Sequence, residues 1–159
     1  MRNELGQYDF SIFSNPVFLA GLSSWFLAQF LKVIIVLFDK KHRSAGYYLY
    51  VFLWSTGGMP SSHSALVTAV AASIGYMEGF DSNIFVAVLC FALLTVRDAV
   101  GVRRSAGLQA RALNLLGGEL REKHGIPFKS VKEVNGHTVT ESLMGMVLGF
   151  FIATAFCSL

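Results

Sequence analysis

Charge is what this chain has least of. Asp, Glu, Lys and Arg together make up 14% of 159 residues, while hydrophobic residues make up 53%, against about 25% and roughly 45–50% in a soluble domain. So few charges cannot hydrate a whole surface, and the mean hydropathy of +0.54 points to an integral membrane protein rather than a soluble one. Cysteine is equally scarce. Cys90 and Cys157 both lie in apolar runs, which excludes a disulfide framework or thiolate zinc site and suggests buried free thiols. The first 14 residues lack the basic stretch and small-residue cleavage site of a signal peptide, so targeting is expected to reside in the first spanning helix. There is no repeat, linker or low-complexity tract, and residues 1–159 read as one integral membrane domain.

What is present is a series of apolar stretches. Residues 16–38 are long enough, at 1.5 Å per residue, to cross a hydrocarbon core of ~30 Å. Within them Gln29 and Lys32, three apart, share a helical face. Residues 47–55 are apolar but too short to span and fit a re-entrant or interfacial piece. A helix is expected over 61–78, a turn at 79–83, and a further apolar helix from Ile84 with Arg97 and Asp98 at its far end. From Arg103 to about Lys123 the pattern is amphipathic, with Leu108, Ala112, Leu115 and Leu116 opposing Arg104, Arg111 and Glu119, and Gly117-Gly118 is placed to bend it. Residues 125–136 read as a loop and 138–156 as the last span. The expected fold is an all-α polytopic membrane helix bundle, with three full spans plus a re-entrant or interfacial segment and an amphipathic cytoplasmic helix.

Basic residues set the orientation. Lys40, Lys41, Arg43, Arg103, Arg104, Arg111, Arg121, Lys123, Lys129 and Lys132 fall on one side of this arrangement and Arg2 on the other. The basic side is then cytoplasmic and both termini lie outside; a spanning 47–55 segment would change that topology. Anionic lipid accounts for these charges, and nucleic acid is not expected as a partner.

The chemistry concentrates at one membrane face. Gly57-Gly58-Met59-Pro60-Ser61-Ser62-His63-Ser64 puts a histidine at a helix start, where unpaired N–H groups and the positive end of the macrodipole favour an anion. Pro60 suits a first helical turn, and Ser61 and Ser62 suit capping. His137 and Glu141 stand at i and i+4, so the carboxylate can accept a ring N–H and raise the basicity of the other nitrogen. Lys32 reads either as a snorkelling lysine or as a phosphate-binding cation with Gln29 beside it. Asp98 reads as a partner of Arg103 or as a metal ligand, and Arg103-Arg104 as lipid-facing or as a phosphate fork. Zinc is disfavoured, because His137/Glu141 is the one short-spaced ligand pair. His42 and His124 carry no assigned chemistry.

Pro60-Ser61-Ser62-His63 and His137 to Glu141 resemble two signatures of the type 2 phosphatidic acid phosphatase superfamily, which also contains vanadium-dependent haloperoxidases. With the run Asp98-Ala99-Val100-Gly101-Val102-Arg103-Arg104-Ser105-Ala106-Gly107-Leu108-Gln109-Ala110, nearly the whole chain is similar to that superfamily's divergent branch of bacteria and plants, here a small bacterial member. The resemblance implies a lipid phosphate substrate, a phosphomonoester or pyrophosphate, and no cofactor or metal. It implies that His137 attacks phosphorus to form a phosphohistidine, oriented by Glu141. His63 acts as acid and then base, while Lys32, Arg103, Arg104, Ser61 and Ser62 hold the phosphate and Asp98 and Gln29 support them. It places the protein in the bacterial cell membrane, and the asymmetry of the basic residues puts the site at the cytoplasmic face.

The sequence departs from the pattern in four places. Ser62 stands where the signature has glycine, and its hydroxyl either binds phosphate or obstructs it. Asp39-Lys40 stands in place of an Arg-Pro after the lysine, and Ser130-Val131 in the stretch of a Ser-Arg pair before the second histidine. Glu141 replaces an aspartate. The superfamily's six-helix bundle is not visible either, and the smaller number of spans admits a homo-oligomer. A binding or transport protein that keeps the phosphate site without chemistry is the second reading, and a haloperoxidase the least expected.

Overall fold

The computed structural model describes residues 12–38, 44–54, 57–134 and 136–157. The expectations resting on Arg2, Lys40, Lys41 and Arg43, and those for the N-terminal segment before Ile12, lie outside the described residues. Six α-helices follow one another: α1 (Pro16–Phe38), α2 (Ala45–Trp54), α3 (Ser62–Glu78), α4 (Asn83–Arg97), α5 (Arg103–His124) and α6 (Val139–Cys157). A π-helical turn, Asp98–Val102, joins α4 to α5. Among the described residues three stretches are long and apolar enough to cross a membrane: α1, the continuous run Asn83–His124, and α6. The protein is an all-α membrane bundle.

Local sequence sets most of the boundaries. Asn15 Oδ1 accepts the Val17 amide at 2.9 Å and starts α1. Ser61 caps α3 through the Ser64 amide, and Ser82 caps α4 through the Phe85 amide, both at 3.3 Å. Pro60 therefore precedes the cap instead of sitting in the first turn, and Ser62 is the first helical residue. At the start of α6, Thr138 and Glu141 form a capping box. The Thr138 amide donates to Glu141 Oε2 at 2.8 Å and the Glu141 amide to Thr138 Oγ1 at 3.3 Å.

Helix α3, 17 residues and about 25 Å long, stands among α1, α4 and α6. Its contact with α6 is closest because α6 presents a stripe of Ser142, Gly145, Gly149 and Ala153, all buried. A β-carbon at Gly145 would meet the Ser61 carbonyl, and one at Gly149 the Ala65 carbonyl. Small residues four apart let the two backbones approach where no hydrophobic drive between helices exists in lipid. Helix α2, too short to span, packs against α1, with the Phe52 and Phe26 rings 6.2 Å apart.

Helix α4, the π turn and α5 form one helix of 42 residues. Gly117-Gly118, expected to bend it, leave it unbroken; Gly117 instead gives the Phe128 ring a place to sit. Gly125, at φ +66°, ends α5. The segment after it runs back along α5 to Arg104. Asn114 grips that segment from both sides, accepting the Val131 amide at 2.8 Å and donating to the Val131 carbonyl and to Glu133 Oε1, each at 2.9 Å. Close contacts at Gly107 with the Val134 carbonyl and at Gly136 with the Arg104 backbone complete the seam.

Candidate active site

His63 enters from the first turn of α3 and His137 from the residue pair just before α6, and their ring centroids are 6.3 Å apart. Two backbone bonds fix this meeting. The Ser61 amide donates to the Glu141 carbonyl at 2.9 Å, tying the start of α3 to that of α6. The His137 amide donates to the Ala99 carbonyl at 3.0 Å. Ala99 lies in the π turn, where the wider winding takes carbonyls out of the ordinary ladder, a feature common at functional sites.

The His137 side chain is 3% exposed. Its Nδ1 lies 3.3 Å from Glu141 Oε2, the same oxygen that takes the Thr138 amide. The capping box thus aims the carboxylate at the ring, and that bond puts the Nδ1 proton toward Glu141 and leaves Nε2 a lone pair. His137 Nε2 is buried without a hydrogen-bond partner. Burial holds the His137 pKa below its ordinary 6.5; the Glu141 hydrogen bond and charge pull it upward, and Lys32 and Arg103 push it down.

A cavity of about 310 Å³ lies over this pair, lined by His63, His137, Asp98, Arg103, Lys132 and Tyr50, among others. Arg103 Nε donates to Asp98 Oδ2 at 2.6 Å. These residues are five apart, a spacing that an α-helix does not bring together and a π turn does. Asp98 is therefore paired with Arg103. Among the described residues no group of three or more His, Cys, Asp or Glu stands close enough to hold a metal ion.

A second cavity of about 360 Å³ is lined by Lys32, Tyr47, Gly57, Gly58, Gly136 and Glu141, among others. Lys32 is 2% exposed and its Nζ lies 3.3 Å from Ser62 Oγ. The Ser62 hydroxyl thus reaches toward the lysine. The Ser61 hydroxyl is engaged by the Ser64 amide and by Ser64 Oγ at 3.1 Å, a helix-capping role. Gln29 is buried one turn from Lys32 with its Oε1 unpartnered and lines neither cavity. Arg104 is exposed and lines neither cavity; its backbone is what Gly136 packs against.

Sequence reasoning singled out neither Tyr50 nor Lys132 as site residues. Tyr50 arrives on α2, whose placement no motif announces. Lys132 arrives on the returning segment, where the Asn114 grip is the controlling feature. The Thr-x-x-Glu spacing of Thr138 and Glu141 was a legible signal for the capping box.

The Divergent PAP2 family matches residues 13–152 of this chain. An uncharacterized membrane protein of Bacillus subtilis (strain 168), YuiD, is 34% identical over 152 residues, covering 89% of this chain and 93% of its own length. No solved structure matches. The paired histidines, the buried lysine and the Asp98–Arg103 turn thus sit in a chain matched almost from end to end, and that chain belongs to the Divergent PAP2 family.

Proposed function

We propose that this protein is a membrane-embedded lipid phosphatase that hydrolyses a lipid phosphomonoester or pyrophosphate through a phosphohistidine on His137. The observation that carries the reading is the state of the His137 ring: Nδ1 faces a carboxylate, Nε2 is buried without a partner, and the ring borders a cavity shared with His63 and Arg103. An oriented, neutral imidazole of this kind is a competent nucleophile.

In the first half-reaction Nε2 attacks phosphorus, the bond from phosphorus to the leaving oxygen breaks, and His63 gives that oxygen its proton. In the second, water attacks phosphorus, the bond from phosphorus to His137 Nε2 breaks, His63 takes the water proton, and inorganic phosphate leaves with the His137 ring restored. Arg103, held by Asp98, and Lys32 neutralise charge on the equatorial oxygens, with the helix-start amides of α3 contributing donors. A hydrocarbon tail is accommodated by an apolar groove of about 260 Å³ between α1 and α6. That groove shares Ile35 and Met59 with the Lys32 cavity. The site faces the cytoplasm in this reading, on the side of the basic segment between α4 and α6.

Phosphate release from purified protein is the test. His137→Ala is expected to abolish it, and His63→Ala to slow turnover about 10²–10⁴-fold while a phosphorylated His137 accumulates. Activity surviving in His137→Ala would remove the nucleophile assignment. A second reading, phosphate binding without turnover, is favoured by Asp39-Lys40 and Ser130-Val131 standing where the related signatures carry arginines. It requires that no adduct form in His63→Ala.

A further inference from the structure

We infer that Lys132 is a second cation for the substrate's phosphate, and that Asn114 is the residue that positions it. The inference rests on the phosphatase reading for the identity of the ligand, and on geometry for the site itself. Lys132 lines the same cavity as His63, Arg103 and His137, although it lies on a segment without helix or strand. Such a segment does not hold a side chain in place unless its backbone is fixed from outside. Here both sequence neighbours of Lys132 are fixed by one side chain. Asn114 pairs with the Val131 amide and carbonyl and also donates to Glu133 Oε1. Two residues further on, the Val134 carbonyl packs against Gly107, where a β-carbon would not fit.

The charges of the cavity point to the same residue. Its two carboxylates are both engaged by other groups, Asp98 by Arg103 and Glu133 by Asn114. Lys132 makes no salt bridge among the described residues. Arg103 has its Nε committed to Asp98, which leaves its terminal nitrogens for an anion, and the Lys132 ammonium on the lining of the same cavity is a second cation to meet it. A lysine is suited to this as a point charge that needs no planar fork. This supplies, from a different position, the positive charge that the stretch before His137 lacks at Ser130-Val131.

Steady-state kinetics on a lipid phosphate, together with inhibition by inorganic phosphate, test the inference in detergent-solubilised full-length protein. Lys132→Ala is expected to raise KM and the phosphate inhibition constant together, about 10- to 100-fold, as for loss of a hydrogen bond to a charged group. Lys132→Arg should restore most of both. Asn114→Ala should shift both in the same direction by a smaller factor, without altering the pH at which kcat/KM is half-maximal. Unchanged KM and inhibition constant in Lys132→Ala would overturn the inference while leaving the phosphatase reading in place. If the unmodified protein releases no phosphate from any lipid phosphate, the phosphatase reading fails. The cation is then tested by the thermal shift that inorganic phosphate produces, and loss of that shift in Lys132→Ala supports it, whereas an equal shift overturns it.

Discussion

At the residue scale the site is governed by how one ring is held. Because burial keeps His137 below 6.5, the ring is neutral at pH 7 and remains so into mildly acidic solution. The rising limb of kcat/KM against pH is therefore expected to have its midpoint below 6.5, and a nucleophile midpoint above 6.5 would contradict the burial argument. Stability follows the same sign. Below pH 6.5 the unfolded chain binds this proton more readily than the folded one, so the contribution is fully present above 6.5 and is lost as pH falls below it. Much of this was legible in the sequence: the two histidines, Glu141, Lys32 and Arg103 are recognisable by residue type and spacing. The pairing of Asp98 with Arg103 was not certain from spacing, because an ordinary helix turns the two away from each other. The extra residue in the π turn that brings them together has no distinct signature beyond Gly101 within it.

At the scale of elements, the two histidines meet because α3 and α6 touch through their small residues. Gly145→Leu would drive its side chain into the Ser61 carbonyl and separate the start of α3 from α6. The expected result is a loss of roughly 1–3 kcal/mol of stability and a disproportionate loss of activity, since Ser61 is next but one to His63. Gly118→Ala is the contrast. It sits in the interior of α5 with nothing near its β-carbon, and the change should stabilise by about 1 kcal/mol with activity unchanged. Thermal unfolding and phosphate release measured side by side distinguish the two. Hydropathy located the helices to within a residue or two because lipid imposes long apolar runs. It did not locate the segment returning along α5, whose register depends on one asparagine and three glycines rather than on any periodic pattern.

At the scale of the whole molecule, the topology with both termini outside requires an even number of crossings, α3 crossing together with α1, α4 and α6 among which it stands, and it can be read by labelling. In a chain with Cys90 and Cys157 replaced by Ala, Asp81→Cys in the turn between α3 and α4 should react with a membrane-impermeant maleimide on intact cells. Glu119→Cys on α5 should react only after the membrane is opened; the reverse pattern would turn the site outward. The long helix formed by α4, the π turn and α5 then carries about half of its 42 residues beyond the hydrocarbon, bringing the returning segment back to the membrane surface beside His137. That residue is moored twice, by its amide to Ala99 in this long helix and by its ring to Glu141 on α6. A ring moored between two membrane helices registers their separation. Under the phosphatase reading, lateral pressure and bilayer thickness, which bear on that separation, become variables of the reaction geometry, and the lipid around the protein takes part in positioning the attack as well as in supplying the substrate.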